Sequence, residues 1–156
     1  MTSLKDVAVE EAFAQPVVGY FDPSLLIAND PVSFTLDFMT ITVEDFKRFE
    51  IPYSFSINKP ALMHGIASWF SVVFEGTDNT VELSTAPGDP DTHRYQCRLL
   101  MRDPLGVNKN QKVSGTIIMD ANKHSSYDVK MDVQLDGTGV SGGNDIDLHN
   151  QFYHCK

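Results

Sequence analysis

Alternation of apolar and polar positions dominates the chain beyond its first fifteen residues. Val32, Phe34, Leu36 and Phe38 alternate with Ser33, Thr35 and Asp37, and Phe49, Ile51, Tyr53, Phe55 and Ile57 alternate with Glu50, Pro52, Ser54 and Ser56. A period of two places one set on each side of a strand, so both runs predict strands with one buried and one wet face. Pro52 cannot donate to a ladder and predicts an edge or a bulge. Leu62 to Glu75 is apolar on both faces, with Ile66, Phe70, Val72 and Phe74 opposite Ala67, Trp69 and Val73, which predicts a central strand covered on both sides. Shorter strands are expected at Thr80 to Ser84, Arg94 to Met101 and Lys112 to Met119. The last clear strand sets Tyr127, Val129, Met131, Val133 and Leu135 against Asp128, Lys130, Asp132, Gln134 and Asp136. Leu4 to Phe13 departs from this period. Leu4, Val7, Ala8, Glu11 and Ala12 recur at three and four residues, Ser3 is available as an N-cap and Pro16 follows, so a short helix is expected. The fold class predicted is mainly β, an antiparallel β-barrel or sandwich with a short N-terminal helix.

Asp136 to Asn144 reads as a Gly-rich loop, and Ile146, Leu148, Phe152 and Tyr153 predict that the tail after it docks. Gly137, Gly139 and Gly142 match G-x-G-x-x-G, but no helix pattern follows whose N-terminus could receive a pyrophosphate, so a plain flexible loop is expected. Asn144, Asp145 and Asp147 offer oxygen ligands, yet the Gly and bidentate Glu of a calcium loop are missing at the required offsets, and a solvated loop is again the reading.

The 156 residues are enough for one domain with a real core, and the net charge of -9 disfavours a phosphate backbone as a general partner. An acidic surface either attracts a basic polypeptide or simply keeps the domain soluble. The longest apolar run, Ile66 to Phe74, is far shorter than the roughly 20 residues of a membrane helix. The first residues, with Lys5, Asp6, Glu10 and Glu11, hold no signal-peptide core, so a soluble, intracellular chain is expected. Cys97 and Cys155 make no disulfide framework and are expected to be free thiols. His64, His93, His124, His149 and His154 show no paired ligand spacing, which argues against zinc. No G-x-S-x-G is present and neither Cys has an activating neighbour in sequence, so nucleophilic hydrolysis has no support.

His93 differs in context. It follows Pro87-Gly88-Asp89-Pro90-Asp91, which forces a tight exposed excursion, and it precedes a strand that would hold it in place. Such a histidine is an ordinary exposed loop residue, or it serves as a proton carrier or orients a carboxylate.

Several segments, in one order, resemble the C-terminal β-barrel of the protein arginine methyltransferases, closest to the coactivator-associated (histone-arginine) type I group. They are Val9-Glu10-Glu11-Ala12-Phe13-Ala14-Gln15-Pro16-Val17-Val18, Glu50-Ile51-Pro52-Tyr53, His64-Gly65 with Trp69-Phe70, and Leu83-Ser84-Thr85-Ala86-Pro87. Thr92-His93 with Tyr95-Gln96, Ser114-Gly115-Thr116, Ser125-Ser126-Tyr127 and Asp147-Leu148 with Asn150 and Phe152 complete the set.

The resemblance implies that residues 1–18 form part of a dimerisation-arm-like helical segment, 19–136 a substrate-binding barrel, and 137–156 a Gly-rich loop and tail. It implies a methyltransferase that moves a methyl group from S-adenosylmethionine to arginine side chains of histones and other proteins in the nucleus and cytoplasm. The family's Rossmann-like cofactor domain, its double-Glu loop and its opening barrel strand have no counterpart in these residues. The expectation is therefore the substrate-binding and dimerising half of the enzyme, with no cofactor bound by this chain, no catalysis alone, and a barrel open along one edge. Its partners would be Arg-rich substrates such as histone tails, a second copy, or a cofactor-binding domain, with no direct nucleic acid and no membrane. The alternative is a non-catalytic protein-binding β-barrel module or a pseudoenzyme partner of a methyltransferase.

Within that frame His93 resembles the loop histidine that shapes the pocket in a supporting catalytic role, and Thr92 would fix the loop beside the substrate. Arg94 stands where a Trp normally packs beside the target guanidinium. Two cations at about 4 Å repel by roughly 4 kcal/mol at an effective dielectric of 20, so Arg94 must turn away or pair with Asp89 or Asp91. The tail resembles the segment that runs along the substrate peptide, with His149 where a Lys is usual, Tyr153 aromatic, and Cys155 where a Tyr contacts the peptide.

Overall fold

The computed structural model describes residues 3–90 and 92–154. Asp91 and Cys155 lie outside the described residues, and with them the expected pairing of Arg94 to Asp91 and both expectations for Cys155, as a free thiol and as the peptide-contacting position. One helix, α1 (Leu4–Phe13), precedes ten strands: β1 (Val17–Gly19), β2 (Arg48–Ser56), β3 (Ala61–Ser68), β4 (Ser71–Glu75), β5 (Thr80–Ser84), β6 (Gln96–Val107), β7 (Lys112–Ala121), β8 (Tyr127–Leu135), β9 (Ser141–Asp147) and β10 (Phe152–Tyr153). Ser3 caps α1 as expected. Its Oγ accepts from the Asp6 N–H (3.2 Å) while Asp6 Oδ2 accepts from the Ser3 N–H (3.1 Å), a reciprocal capping box. No residue of α1 is buried.

Two four-stranded sheets, ordered β10-β1-β6-β3 and β2-β7-β8-β9, enclose the core. Tyr53, Met63, Ile66, Leu99, Met101, Val113, Val129, Met131, Val133 and Ile146 meet between them. The alternating strand at Tyr127–Leu135 buries the expected set, and Pro52 lies on β2, which is an edge. Gly115 is required by close approach rather than by a turn: a Cβ there would collide with the Asp132 carbonyl and lie 2.6 Å from Tyr53 Oη. The space lets that hydroxyl donate to the Asp132 carbonyl (2.5 Å). The sheets are joined where β6 crosses a bulge, with Met63 facing Leu105 but Gly65 facing Leu100. There Asn144 of β9 donates through Nδ2 to the Leu100 carbonyl (2.8 Å) and to Phe13 at the end of α1 (2.6 Å).

Three expectations are corrected. Leu62 to Glu75 is not one central strand. β3 is a sheet edge, and at Phe70 the backbone leaves β6 to bond with Thr85, starting a separate two-stranded ribbon of β4 and β5. Phe70, Val73, Phe74, Val81 and Leu83 are exposed on that ribbon. Val32 to Phe38 joins no ladder; Phe34 meets Phe49 edge to face and Phe38 stacks on Phe46. The Gly-rich stretch is a turn only as far as Val140, and Ser141–Asp147 pairs along the whole of Asp128–Gln134 as β9. Glycines there still form a strand because β8 supplies a complete row of backbone partners.

Candidate functional site

The loop between β5 and β6 is closed at its base by one amide. Gln96, buried at the start of β6, accepts from the Phe21 N–H through Oε1 (2.9 Å) and donates through Nε2 to the Thr85 carbonyl (2.8 Å). Thr85, also buried, accepts from the Phe70 N–H (3.1 Å) and donates to the Phe70 carbonyl (2.9 Å). Both ends of the loop and the segment after β1 are therefore tied together by buried, satisfied polar groups, which fixes the base of the loop. Sequence reasoning gave Gln96 and Thr85 no role. The available signal was two polar residues at the margins of strand-like runs on either side of a Pro-rich excursion.

Within the loop, Thr92 Oγ1 accepts from the Arg94 N–H and donates to the Arg94 carbonyl, each at 3.1 Å. This side-chain turn sets the direction of residues 92–94. The tail forms the opposite wall. β10 runs parallel to β1, pairing Val17 with Phe152 and Val18 with Tyr153, and the Phe152 and His154 N–H groups donate to the Pro16 and Val18 carbonyls (3.0 and 2.8 Å). The expected docking of the tail thus occurs by strand addition, with Ile146 buried and Leu148 against the core.

Loop and tail enclose a cleft of about 280 Å³ whose wall includes Thr85, Asp89, Thr92, Arg94, Gln96, Tyr153 and His154. Three of the five sequence-selected residues, Thr92, Arg94 and Tyr153, therefore share one cleft. His93 is exposed and is not part of its wall. His149 lies elsewhere, its ring stacked on His124 with centroids 4.6 Å apart. Arg94 forms no ion pair among the described residues, and Asp89 is on the same wall. Cys97 is half-buried on the strand behind, a free thiol whose pKa is pushed up by burial.

No group of three or more His, Cys, Asp or Glu among the described residues could hold a metal ion, and no described helix is long and apolar enough to cross a membrane. Gly137 and Gly139 lie in the turn between β8 and β9 and Gly142 lies within β9, so the G-x-G-x-x-G pattern opens a strand and not a helix.

A second surface lies between β1 and β2. Phe34, Phe46, Phe49 and Tyr127 cluster at its root, and Tyr127 Oη donates to the Phe46 carbonyl (2.8 Å). Beyond that root Phe38 and Met39 are 71% and 92% exposed, with Leu25 and Val43 also outward. Together they form an exposed apolar patch on one segment.

Comparison with known proteins agrees with this architecture. The chain is 38% identical over 153 residues to the histone-arginine methyltransferase CARMER of Anopheles gambiae and 39% identical to that of Aedes aegypti, covering 98% of this chain in each case. It spans about a quarter of their length, 24% and 26%. Among solved structures it resembles the Trypanosoma brucei PRMT1 enzyme-prozyme heterotetrameric complex with AdoHcy, with a TM-score of 0.79 at 20% identity, over 92% of this chain and 46% of that one. Arabidopsis thaliana protein arginine methyltransferase 10 matches at a TM-score of 0.69 and 17% identity, over 86% and 42%. Residues 1–138 match the family model described as the arginine methyltransferase oligomerization subdomain, and the chain belongs to that family.

Proposed function

We propose that this chain is the substrate-binding and dimerising half of an S-adenosylmethionine-dependent protein arginine methyltransferase that acts on histones and other proteins in the nucleus and cytoplasm. The observation that carries the reading is the shared cleft: Thr92 and Arg94 from the loop face Tyr153 from the tail, in a chain of the arginine methyltransferase family. The methyl donor binds outside these residues. His93, exposed on the loop, is then placed to meet acidic groups of a cofactor-binding domain, and Thr92 holds the turn that presents it. The tail carries substrate contacts at Tyr153, and His149 extends them along the peptide. Association uses the exposed apolar segment at 25–43 as well as the arm-like helix expected at 1–18.

Arg94 sets the limit of this site. With a cofactor-binding domain supplied, Arg94→Trp is expected to raise arginine methylation of a histone-tail peptide by about tenfold or more, since it removes a like charge near the substrate guanidinium. An unchanged or lower rate refutes that role. Calorimetric titration of the isolated chain with S-adenosylmethionine is expected to show no binding, and micromolar affinity would overturn the proposed division of labour.

A further inference from the structure

The outer face of the β10-β1-β6-β3 sheet carries a guanidinium without an acceptor. Arg98 is aligned on β6 with Val17 of β1 on one side and Ala67 of β3 on the other. Its neighbours Leu99 and Met101 enter the core. Arg98 Nε and Nη2 are both buried and neither has a hydrogen-bond partner, and Arg98 forms no ion pair among the described residues. These two nitrogens direct parallel N–H bonds along one edge of the guanidinium, the edge that engages both oxygens of a carboxylate at once.

Buried donors in native proteins are nearly always satisfied, so two unpaired donors on one edge define the geometry of the acceptor that suits them. Gly19 and the tail surround that edge. A Cβ at Gly19 would lie 3.4 Å from Arg98 Nη2 and 2.9 Å from the His154 carbonyl oxygen, so the missing side chain keeps this edge clear. The covering strand β10 is held by two register pairs, and both of its residues are exposed. His154, just beyond that strand, is the tail residue beside Gly19 and the edge, so displacement of the tail end is the route by which a ligand would reach it.

We propose that the Nε–Nη2 edge of Arg98 is a receptor for a carboxylate. A neutral ligand would leave the charge uncompensated, and a cation would be repelled. The carboxylate comes from one of two sources: an Asp or Glu side chain of a second copy of this acidic chain, or a free small carboxylic acid.

Formate probes the shared chemistry. In the nitrogen-15-labelled full chain, titrating formate against chloride at fixed ionic strength is expected to move one arginine Nε–H resonance downfield in a saturable manner. Arg98→Lys keeps the charge but lacks the parallel edge, and it should abolish the response. Dilution of the protein without formate reads the other source. If a second copy supplies the carboxylate, the same resonance follows self-association measured by sedimentation, and Arg98→Lys weakens that association by about tenfold or more. If a free acid is the ligand, formate alone moves the resonance and association is unaltered. An arginine Nε–H spectrum that answers neither formate nor protein concentration overturns the proposal. Arg98→Met is the control for a purely structural role. It keeps the stem and removes the unpaired charge, so the melting temperature of the free chain is expected to hold or rise, and a fall would also overturn the proposal.

Discussion

Single side chains here act by occupying or leaving space that backbone needs. Gly115 faces Val133 across the β7–β8 ladder and leaves the gap through which Tyr53 reaches the Asp132 carbonyl. Burial also pushes the Tyr53 phenol well above its usual range, so the hydroxyl stays a donor at every ordinary pH. Gly115→Ala is expected to cost about 1–3 kcal/mol in urea unfolding by overpacking, whereas Tyr53→Phe, which removes one hydrogen bond, should cost about 1 kcal/mol. Gln96→Leu is expected to lower stability by about 1–3 kcal/mol, because the Phe21 N–H and the Thr85 carbonyl lose their partners together. Faster amide exchange at Phe21 would locate that loss in the loop base. At this scale the sequence was legible where a side chain has local chemistry: the Ser3 cap and the edge position of Pro52 appear as expected, and the Thr92 turn accords with what the family resemblance implied. Gln96 was not legible as a clamp, since its partners are 11 and 75 residues away.

Elements were readable from their period and misread where a neighbour decides. The strands beginning at Arg48, Lys112 and Tyr127 follow from alternation because each has one face on the core, whereas the strand beginning at Thr80 lies on the exposed ribbon. Leu62 to Glu75 has the composition of a buried strand, but Thr85 captures Phe70 and redirects the chain into an exposed ribbon, a choice made by a residue outside the run. The glycines before Asn144 argued for a loop, and a fully formed β8 edge overrode them. α1 shows the reverse case, a local signal with little tertiary support. Its capping carboxylate, Asp6, is held below its ordinary pKa first by the Ser3 hydroxyl and then by the Ser3 backbone. A depressed carboxylate stabilises the fold above its ordinary pKa and loses that contribution as the pH falls through the lowered value. Acidification below about pH 4 is therefore expected to fray the first turn of α1, which amide chemical shifts of Asp6 and Val7 would follow, and Asp6→Asn should remove that dependence.

For the whole molecule, the β class and the antiparallel sheets follow from the sequence, while the way two sheets meet does not. The junction rests on the β6 bulge and on Asn144, and neither has a periodic signature. The exposed apolar segment was similarly hidden, because Phe38 and Met39 look like core residues until the fold leaves them outside. Phe38→Ser with Met39→Ser is expected to weaken self-association in sedimentation while changing unfolding free energy by no more than about 0.5 kcal/mol, as for other exposed positions. β1 carries a different kind of consequence. Val17 pairs with Arg98 on one side and Phe152 on the other. During synthesis this short strand must wait for most of the chain to be made before either neighbour exists. β6 is made before β7, β8 and β9, and β10 is made last, so the tail wall of the cleft is the last part of the domain to form.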